Sequence, residues 1–203
     1  MKIGVLGTGV VGETIGSKLT ALGHDVMMGS RNAGGDAVLA WAKKSGGKPG
    51  SFAHACEHGE IVFHCTKGEG AIPALNGVNL SGKILIDVTN PLGMNIPDSL
   101  GEQIQEAQPE ARVVKALNCV NAELMVNPAQ LAGGEHDLFI CGNDEAAKKT
   151  VVDTVLKGFF GWKHIHDLGD ITASKQIEGY VQLWVRMWRT FKTPMFNVHV
   201  MRQ

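Results

Sequence analysis

Met1-Lys2-Ile3-Gly4-Val5-Leu6-Gly7-Thr8-Gly9-Val10-Val11-Gly12 is the stretch on which the reading turns. Lys2 to Leu6 is a short apolar run stopped by Gly7, the pattern of a parallel strand buried on both faces. Val10 to Leu22 then carries Val11, Ile15, Leu19 and Leu22 at helical spacing. Gly23 stands just past its end, where a residue without Cβ is favoured. His24 to Met28 reads as a second strand. Between the first strand and the helix, Gly7, Gly9 and Gly12 fall in the spacing GxGxxG. Gly7 permits the tight turn, Gly9 lets the backbone approach a pyrophosphate, and Gly12 lets helix and strand pack closely. The helix N-terminus adds free N–H groups and a partial positive charge.

Outward from this unit the alternation continues. Gly50 to Phe52 is a brief strand, followed by a short helix over Ala53–His58. Glu60 to Cys65, Lys83 to Asp87, Arg112 to Ala116, Asp137 to Cys141 and Lys163 to Asp167 are further strands. Asp144 caps a helix to about Leu156, because its carboxylate can accept first-turn N–H groups. A long helix runs from Ile171 to about Lys192. Ala33-Gly34-Gly35 and Ser45-Gly46-Gly47 are loops rather than domain boundaries. Strands alternating with helices predict an α/β fold: a Rossmann-type, doubly wound, mostly parallel sheet with a small helical C-terminal segment. Residues 1–142 form the expected nucleotide-binding domain. Residues 143–203 form a strand and helix segment packing on it, bordering an acceptor cleft and offering a contact for a homodimer.

Composition bounds the function. The chain has 203 residues, a net charge of −1 and 44% apolar residues, which suits one domain with a sizeable core. With a pI of 6.7, the whole-protein field attracts neither nucleic acid nor an anionic membrane. Glycine numbers 26, well above the usual ~7%, and clusters at turns. Cys56, Cys65, Cys119 and Cys141 form no CxxC pair and read as reduced, buried thiols of a cytoplasmic protein. No signal segment is apparent, and no run of about 18 apolar residues predicts a membrane span.

The end of the second strand decides which dinucleotide is expected. An acid there would bond the ribose 2′-OH of NAD. Gly29-Ser30-Arg31-Asn32 stands there instead. Ser30 can donate to a 2′-phosphate, and Arg31 can pair with it and stack on the adenine. These residues, with Asn32 beside them, argue for NADP(H). Ligands of open α/β sheets bind outside the carboxyl ends of the strands. Cys65-Thr66-Lys67, Asn90-Pro91-Leu92 and Asn118-Cys119-Val120-Asn121-Ala122 follow three such ends. Thr66 and Asn90 can bond the nicotinamide ribose or carboxamide, and the small apolar residues can press on the ring. Lys67 and Asn118 are the candidates for a catalytic role. Lys115 and Asn118 form K-x-x-N, the spacing of an acid pair in hydroxyacid dehydrogenases. Here it falls at a strand end rather than on a helix and reads as coincidence.

Gly7-Thr8-Gly9-Val10-Val11-Gly12, Leu22-Gly23-His24 and Gly29-Ser30-Arg31 together resemble the F420-dependent NADP reductase family. Val113-Val114-Lys115-Ala116-Leu117-Asn118, Phe139 to Asp144 and Lys175-Gln176-Ile177-Glu178 are similar to the oxidoreductase domain of STEAP-type metalloreductases. Trp188-Arg189 through Asn197 resembles small bacterial dinucleotide-binding relatives. The resemblance implies that Thr8, Gly9, Val10 and Val11 contact the pyrophosphate through backbone groups. It implies that Ser30 and Arg31 hold the 2′-phosphate, and that Val120 and Ala122 line the nicotinamide. It further implies a hydride passing between NADPH and a flavin-like acceptor, F420 first and FMN or FAD second. The chain departs from those reductases in its shorter middle and aromatic C-terminal helix. It departs from the metalloreductases in stopping before any membrane domain, so no haem relay is inferred.

Three other functions stay open beside this one: a ferric-type flavin reductase, a carbonyl or imine reductase, and a non-catalytic NADP(H) sensor. His54 and His58 lie one helical turn apart with Cys56 between them. Without the glutamate of HExxH they read as surface histidines, and no metal is expected. His164 and His166 share one strand face, as a solvated face or a wall of the cleft. Eight of the 12 aromatic residues follow residue 158. Val181, Trp184, Trp188 and Phe191 make a helical stripe that has to be buried by the core, the acceptor pocket or a second copy.

Overall fold

The computed structural model describes residues 1–93 and 99–202. In chain order the elements are β1 (Lys2–Leu6), α1 (Val10–Ala21), β2 (Asp25–Ser30), α2 (Asp36–Ser45), β3 (Lys48–Ser51), α3 (Phe52–His58), β4 (Ile61–His64) and α4 (Gly68–Ala74). They continue as β5 (Ile84–Asp87), α5 (Leu100–Ala107), β6 (Arg112–Lys115), α6 (Ala122–Val126), β7 (Asp137–Ile140), α7 (Glu145–Thr150), β8 (His164–Asp167) and α8 (Ser174–Phe191).

Six strands form one parallel sheet in the order β3-β2-β1-β4-β5-β6. The apolar run of β1 explains its central place: Ile3, Val5 and Leu6 are wholly buried, as a strand covered on both faces requires. One layer of core packs α1, α2 and α6 against Ile3, Val5, Phe63, Ile86 and Val114. The other packs α3, α4 and α5 against Leu6, Val62, Leu85 and Val113. The chain builds outward from β1 to β3, then returns to β4 on the other side. The loops after β1 and β4 therefore diverge, and the crevice between them opens at the carboxyl edge of the sheet. Pairing sets the residues along that edge: Leu6 lies between Gly29 and His64, and His64, Asp87 and Lys115 follow in register.

β7 and β8 pair in parallel as a separate two-stranded sheet. It joins the main sheet through one antiparallel bridge, Lys115 to Cys141. α7 continues as a π-helix over Val151–Phe160, four residues beyond the expected end at Leu156. The expected C-terminal helix opens as a 3-10 turn, Ile171–Ala173, before α8. The aromatic stripe of α8 is buried only at its start. Val181 is buried, whereas Trp188 and Phe191 are about half exposed. Beyond Lys192 the chain turns back, stacking Phe196 on Trp184 with ring centroids 5.3 Å apart. It then reaches β7, where Asp137 N–H donates to the Val198 carbonyl at 3.0 Å.

Four helices, α2, α4, α5 and α6, stand where the pattern reading placed no element, α6 being a single short stretch opened by the Asn121 cap. α5 did carry a signal: Ser99 and Glu102 form a full capping box. α2 buries only Val38 and Trp41, too few positions to show a period. α4 contains Gly68, Gly70 and Pro73, poor helix formers held in place by packing of Ala71 and Ala74. β2 reaches Ser30 rather than ending at Met28, and β3 lies over Lys48–Ser51 rather than 50–52. Among the described residues no helix is long and apolar enough to cross a membrane.

Candidate dinucleotide-binding site

The β1–α1 turn has the geometry that its glycines demand. Gly7 adopts φ +115°, open chiefly to glycine, and its N–H donates to Gly29 O at 2.9 Å, tying the turn to β2. A Cβ on Gly12 would stand 2.0 Å from Gly7 O. Gly7 and Gly12 are thus required by the fold itself. Gly9 is different: a Cβ there meets no protein atom within 4 Å. As N-cap of α1 it brings no side-chain cap to the first-turn amides, which point outward as an anion site does. Thr8 is half-buried and Val11 packs on the core, while Val10 is exposed. The cradle fits a pyrophosphate.

At the end of β2, Ser30 Oγ donates to the Asn32 carbonyl. Asn32 Oδ1 accepts the Gly34 N–H at 3.1 Å, closing a local turn. Ser30 therefore spends its proton within the turn unless it rotates toward a ligand. Arg31 is exposed, and among the described residues no carboxylate pairs with it. The guanidinium is presented to solvent on the β2 side of the crevice.

The β4, β5 and β6 ends border the other half. Cys65 N–H donates to Leu6 O at 2.8 Å. Thr66 Oγ1 is 3.0 Å from His64 Nε2. Lys67 is the exposed N-cap residue of α4. Asn90 and Asn118 interlock: Asn90 Nδ2 donates to Asn118 O at 2.9 Å, and Asn118 Nδ2 donates to Asn90 Oδ1 at 2.9 Å. Each amide keeps a second N–H. Pro91 follows, half-buried. Val120 is buried, and Ala122 opens α6, capped by Asn121 Oδ1 accepting from Leu124 N–H at 2.9 Å. Thr66, Asn90 and Asn118 thus lie along one edge, apart from the β2 end.

The titrating groups here are not poised for proton transfer. Burial keeps the His64 imidazole neutral, with its pKa down to about 4, although the Asp87 carboxylate opposes this. Burial raises the thiols, Cys65 well above its ordinary value and Cys119 to about 12. Lys115 is wholly buried. Burial works against its charge, but Asp87 and Glu178 outweigh it and hold its pKa above the ordinary value. Its Nζ lies 2.8 Å from Asp87 Oδ2 and 2.8 Å from Glu178 Oε1, and donates to Thr89 O at 2.7 Å. The pattern reading missed this cluster. The available signal was a Lys and an Asp closing two otherwise apolar strand runs. Leu117 was also missed, and sits at φ +66° beside Asn118.

The demoted residues lie elsewhere. His54 is exposed, and His58 Nε2 lies 2.9 Å from Asp25 O. Among the described residues no group of His, Cys, Asp and Glu is arranged to hold a metal. His164 lies 2.9 Å from Glu135, just before β7, and His166 lies 3.2 Å from Asp137 at the start of β7, and neither faces the crevice.

The family model for coenzyme F420-dependent NADP oxidoreductases matches residues 2–91. The solved structure of a candidate F420-dependent NADP reductase from Arthrobacter sp. FB24 is 40% identical over the whole of both chains, with a TM-score of 0.90. The chain belongs to this family. By its description that family is one of NADP oxidoreductases. The F420-dependent NADP reductase of Methanocaldococcus jannaschii is 28% identical, over 72% of this chain and 70% of its own. Metalloreductase STEAP3 of Rattus norvegicus is 27% identical over 93% of this chain, which spans only 38% of that protein's length. A reductive aminase of Aspergillus terreus, 16% identical with a TM-score of 0.68, shares the fold over 94% of this chain and 62% of its own.

Proposed function

We propose that this family member moves a hydride between NADP(H) and a deazaflavin of the F420 type. Bound NADPH supplies the hydride from its nicotinamide. The first turn of α1 holds the pyrophosphate, and Ser30 and Arg31 hold the 2′-phosphate. By the pseudo-symmetry of the doubly wound sheet, the β4–β6 side takes the nicotinamide half. Thr66, Asn90 and Asn118 bond its ribose or carboxamide there, and Val120 and Ala122 exclude water from the ring.

The observation that carries the choice of acceptor is the proton inventory of that edge. Reducing a carbonyl or imine places a proton on oxygen or nitrogen, and a positioned acid normally delivers it. Lys115 has all three protons committed to neighbours. His64 is held neutral, and the thiols are held protonated by burial. A deazaflavin ring spreads the incoming charge and takes its proton from water, so it needs no such acid. Lys67, exposed where β4 meets α4, stands in water and is not held in position as an acid; as a cation it can meet that developing charge. We locate the protein in the cytoplasm, whose reducing conditions suit four free cysteines.

The test is anaerobic NADPH oxidation with F420, FMN and FAD supplied in parallel. Turnover with F420 far above the flavins is expected. Turnover with flavin alone moves the protein toward flavin reduction, the reading favoured by its similarity to STEAP proteins. Tight NADPH binding with no turnover refutes both and leaves a carbonyl or imine substrate, or a sensor.

A further inference from the structure

Asp87, Lys115 and Glu178 meet out of water at the carboxyl edge of β5 and β6. Two carboxylates face one ammonium. The second anion has another support: Glu178 Oε2 accepts from Leu100 N–H and Oε1 from Gly101 N–H, each at 2.9 Å. These are the first two amides of α5, where a helix carries partial positive charge. Buried ion clusters return little net stability, because desolvation consumes much of the pairing energy.

What this cluster does is tie four segments together. Lys115 grips the Thr89 carbonyl, and Asp87 Oδ1 accepts from both Thr89 N–H at 2.9 Å and Thr89 Oγ1 at 2.7 Å. Thr89 directly precedes Asn90, whose amide interlocks with Asn118. On the facing loop, Leu117 holds a left-handed conformation, which persists only where the surroundings over-determine it. Cys119 Sγ reaches the carbonyl of Ile177, the neighbour of Glu178, at 3.5 Å. Through Glu178, then, α8 is joined to both loops that border the nicotinamide half.

We infer that Glu178 is a positioning residue for hydride transfer: through Lys115 and Thr89 it fixes the Asn90–Asn118 pair against the nicotinamide. This rests on the proposed NADPH chemistry. The sheet order puts four strand intervals between β2, beside Arg31, and β6, about 19 Å at the usual spacing. The clamp therefore acts on the nicotinamide end and leaves the adenosine end alone.

The experiment uses the full chain with Glu178→Gln. The NADPH Kd is expected to stay within about threefold of wild type. Transfer at saturating NADPH falls about 10- to 100-fold, the scale of a displacement near 1 Å. In the binary complex, the fluorescence lifetime of the reduced nicotinamide drops toward that of free NADPH. A folded variant with wild-type rate and lifetime overturns the inference, as does an equal fall in rate and affinity. If Glu178→Gln does not fold, the triple variant Asp87→Asn/Lys115→Met/Glu178→Leu removes all three charges together and leaves none unpaired. It takes the same measurements, with the same outcomes. A wild-type protein whose NADPH lifetime lengthens on binding, but which reduces no acceptor, refutes the proposed function alone. The lifetime then still tests the clamp. Wild type that binds no NADPH overturns both.

Discussion

Gly9→Ala separates cofactor binding from folding at the β1–α1 turn. Gly9 has φ −82° and ψ 177°, a conformation open to alanine, and the new methyl meets no protein atom within 4 Å. As a helix cap, alanine is poorer than glycine by up to about 1 kcal/mol. It returns about 0.4–1 kcal/mol by restricting the unfolded chain. The net change in stability is near zero, and Tm should move by no more than about 2–4 °C. The methyl instead stands where a pyrophosphate must approach the amides. Losing one hydrogen bond to a charged group weakens binding by about 1.5–3 kcal/mol, or about 10- to 150-fold in Kd. Gly12→Ala is the contrast: its Cβ would lie 2.0 Å from Gly7 O, so thermal stability and affinity fall together. Calorimetric titration with NADPH, beside thermal melts, reads both quantities. Gly9→Ala that binds NADPH within twofold of wild type, with an unchanged Tm, refutes a pyrophosphate over this turn.

Two further outcomes follow from the crevice. Arg31→Glu places a carboxylate where the 2′-phosphate is assigned and should weaken NADPH by about 1.5–3 kcal/mol or more, with little effect on NADH; unchanged NADPH affinity removes Arg31 from the site. Burial lowers the His64 pKa from 6.5 to about 4, so between those values the unfolded chain binds a proton that the native state does not. Stability is therefore full above pH 6.5 and declines as pH falls toward 4, by up to about 3 kcal/mol. Urea denaturation of His64→Leu should show a flatter decline over that window, and equal slopes in the two proteins refute the assignment.

Much of the nucleotide-binding half was legible because its requirements are local. A glycine forced to positive φ, a glycine whose Cβ would stand 2.0 Å from a carbonyl oxygen, and an apolar strand before them all lie within residues 2–12. The missing acid at Ser30–Arg31–Asn32 was equally plain. The helices α2 and α4 were not, because two buried side chains in one and glycines with a proline in the other carry no periodic signal. The histidines of β8 were read as a face without a direction, since their partners, Glu135 before β7 and Asp137 on it, are set only when the two strands pair.

The chain order of apolar runs and glycines determined the doubly wound sheet and the place of the phosphate turn, since strand burial and backbone sterics act between near neighbours. Tertiary structure alone decided that Asp87, Lys115 and Glu178 share one buried site. Each reads separately as a charge in or near an apolar run, and a buried charge demands a partner without naming it. Only folding brings the ends of β5 and β6, the start of α5 and one face of α8 within 3 Å of one another. Folding likewise left the far half of the α8 aromatic stripe about half exposed, because α8 packs on α5 through its first turns, where Ile177, Glu178 and Val181 are buried.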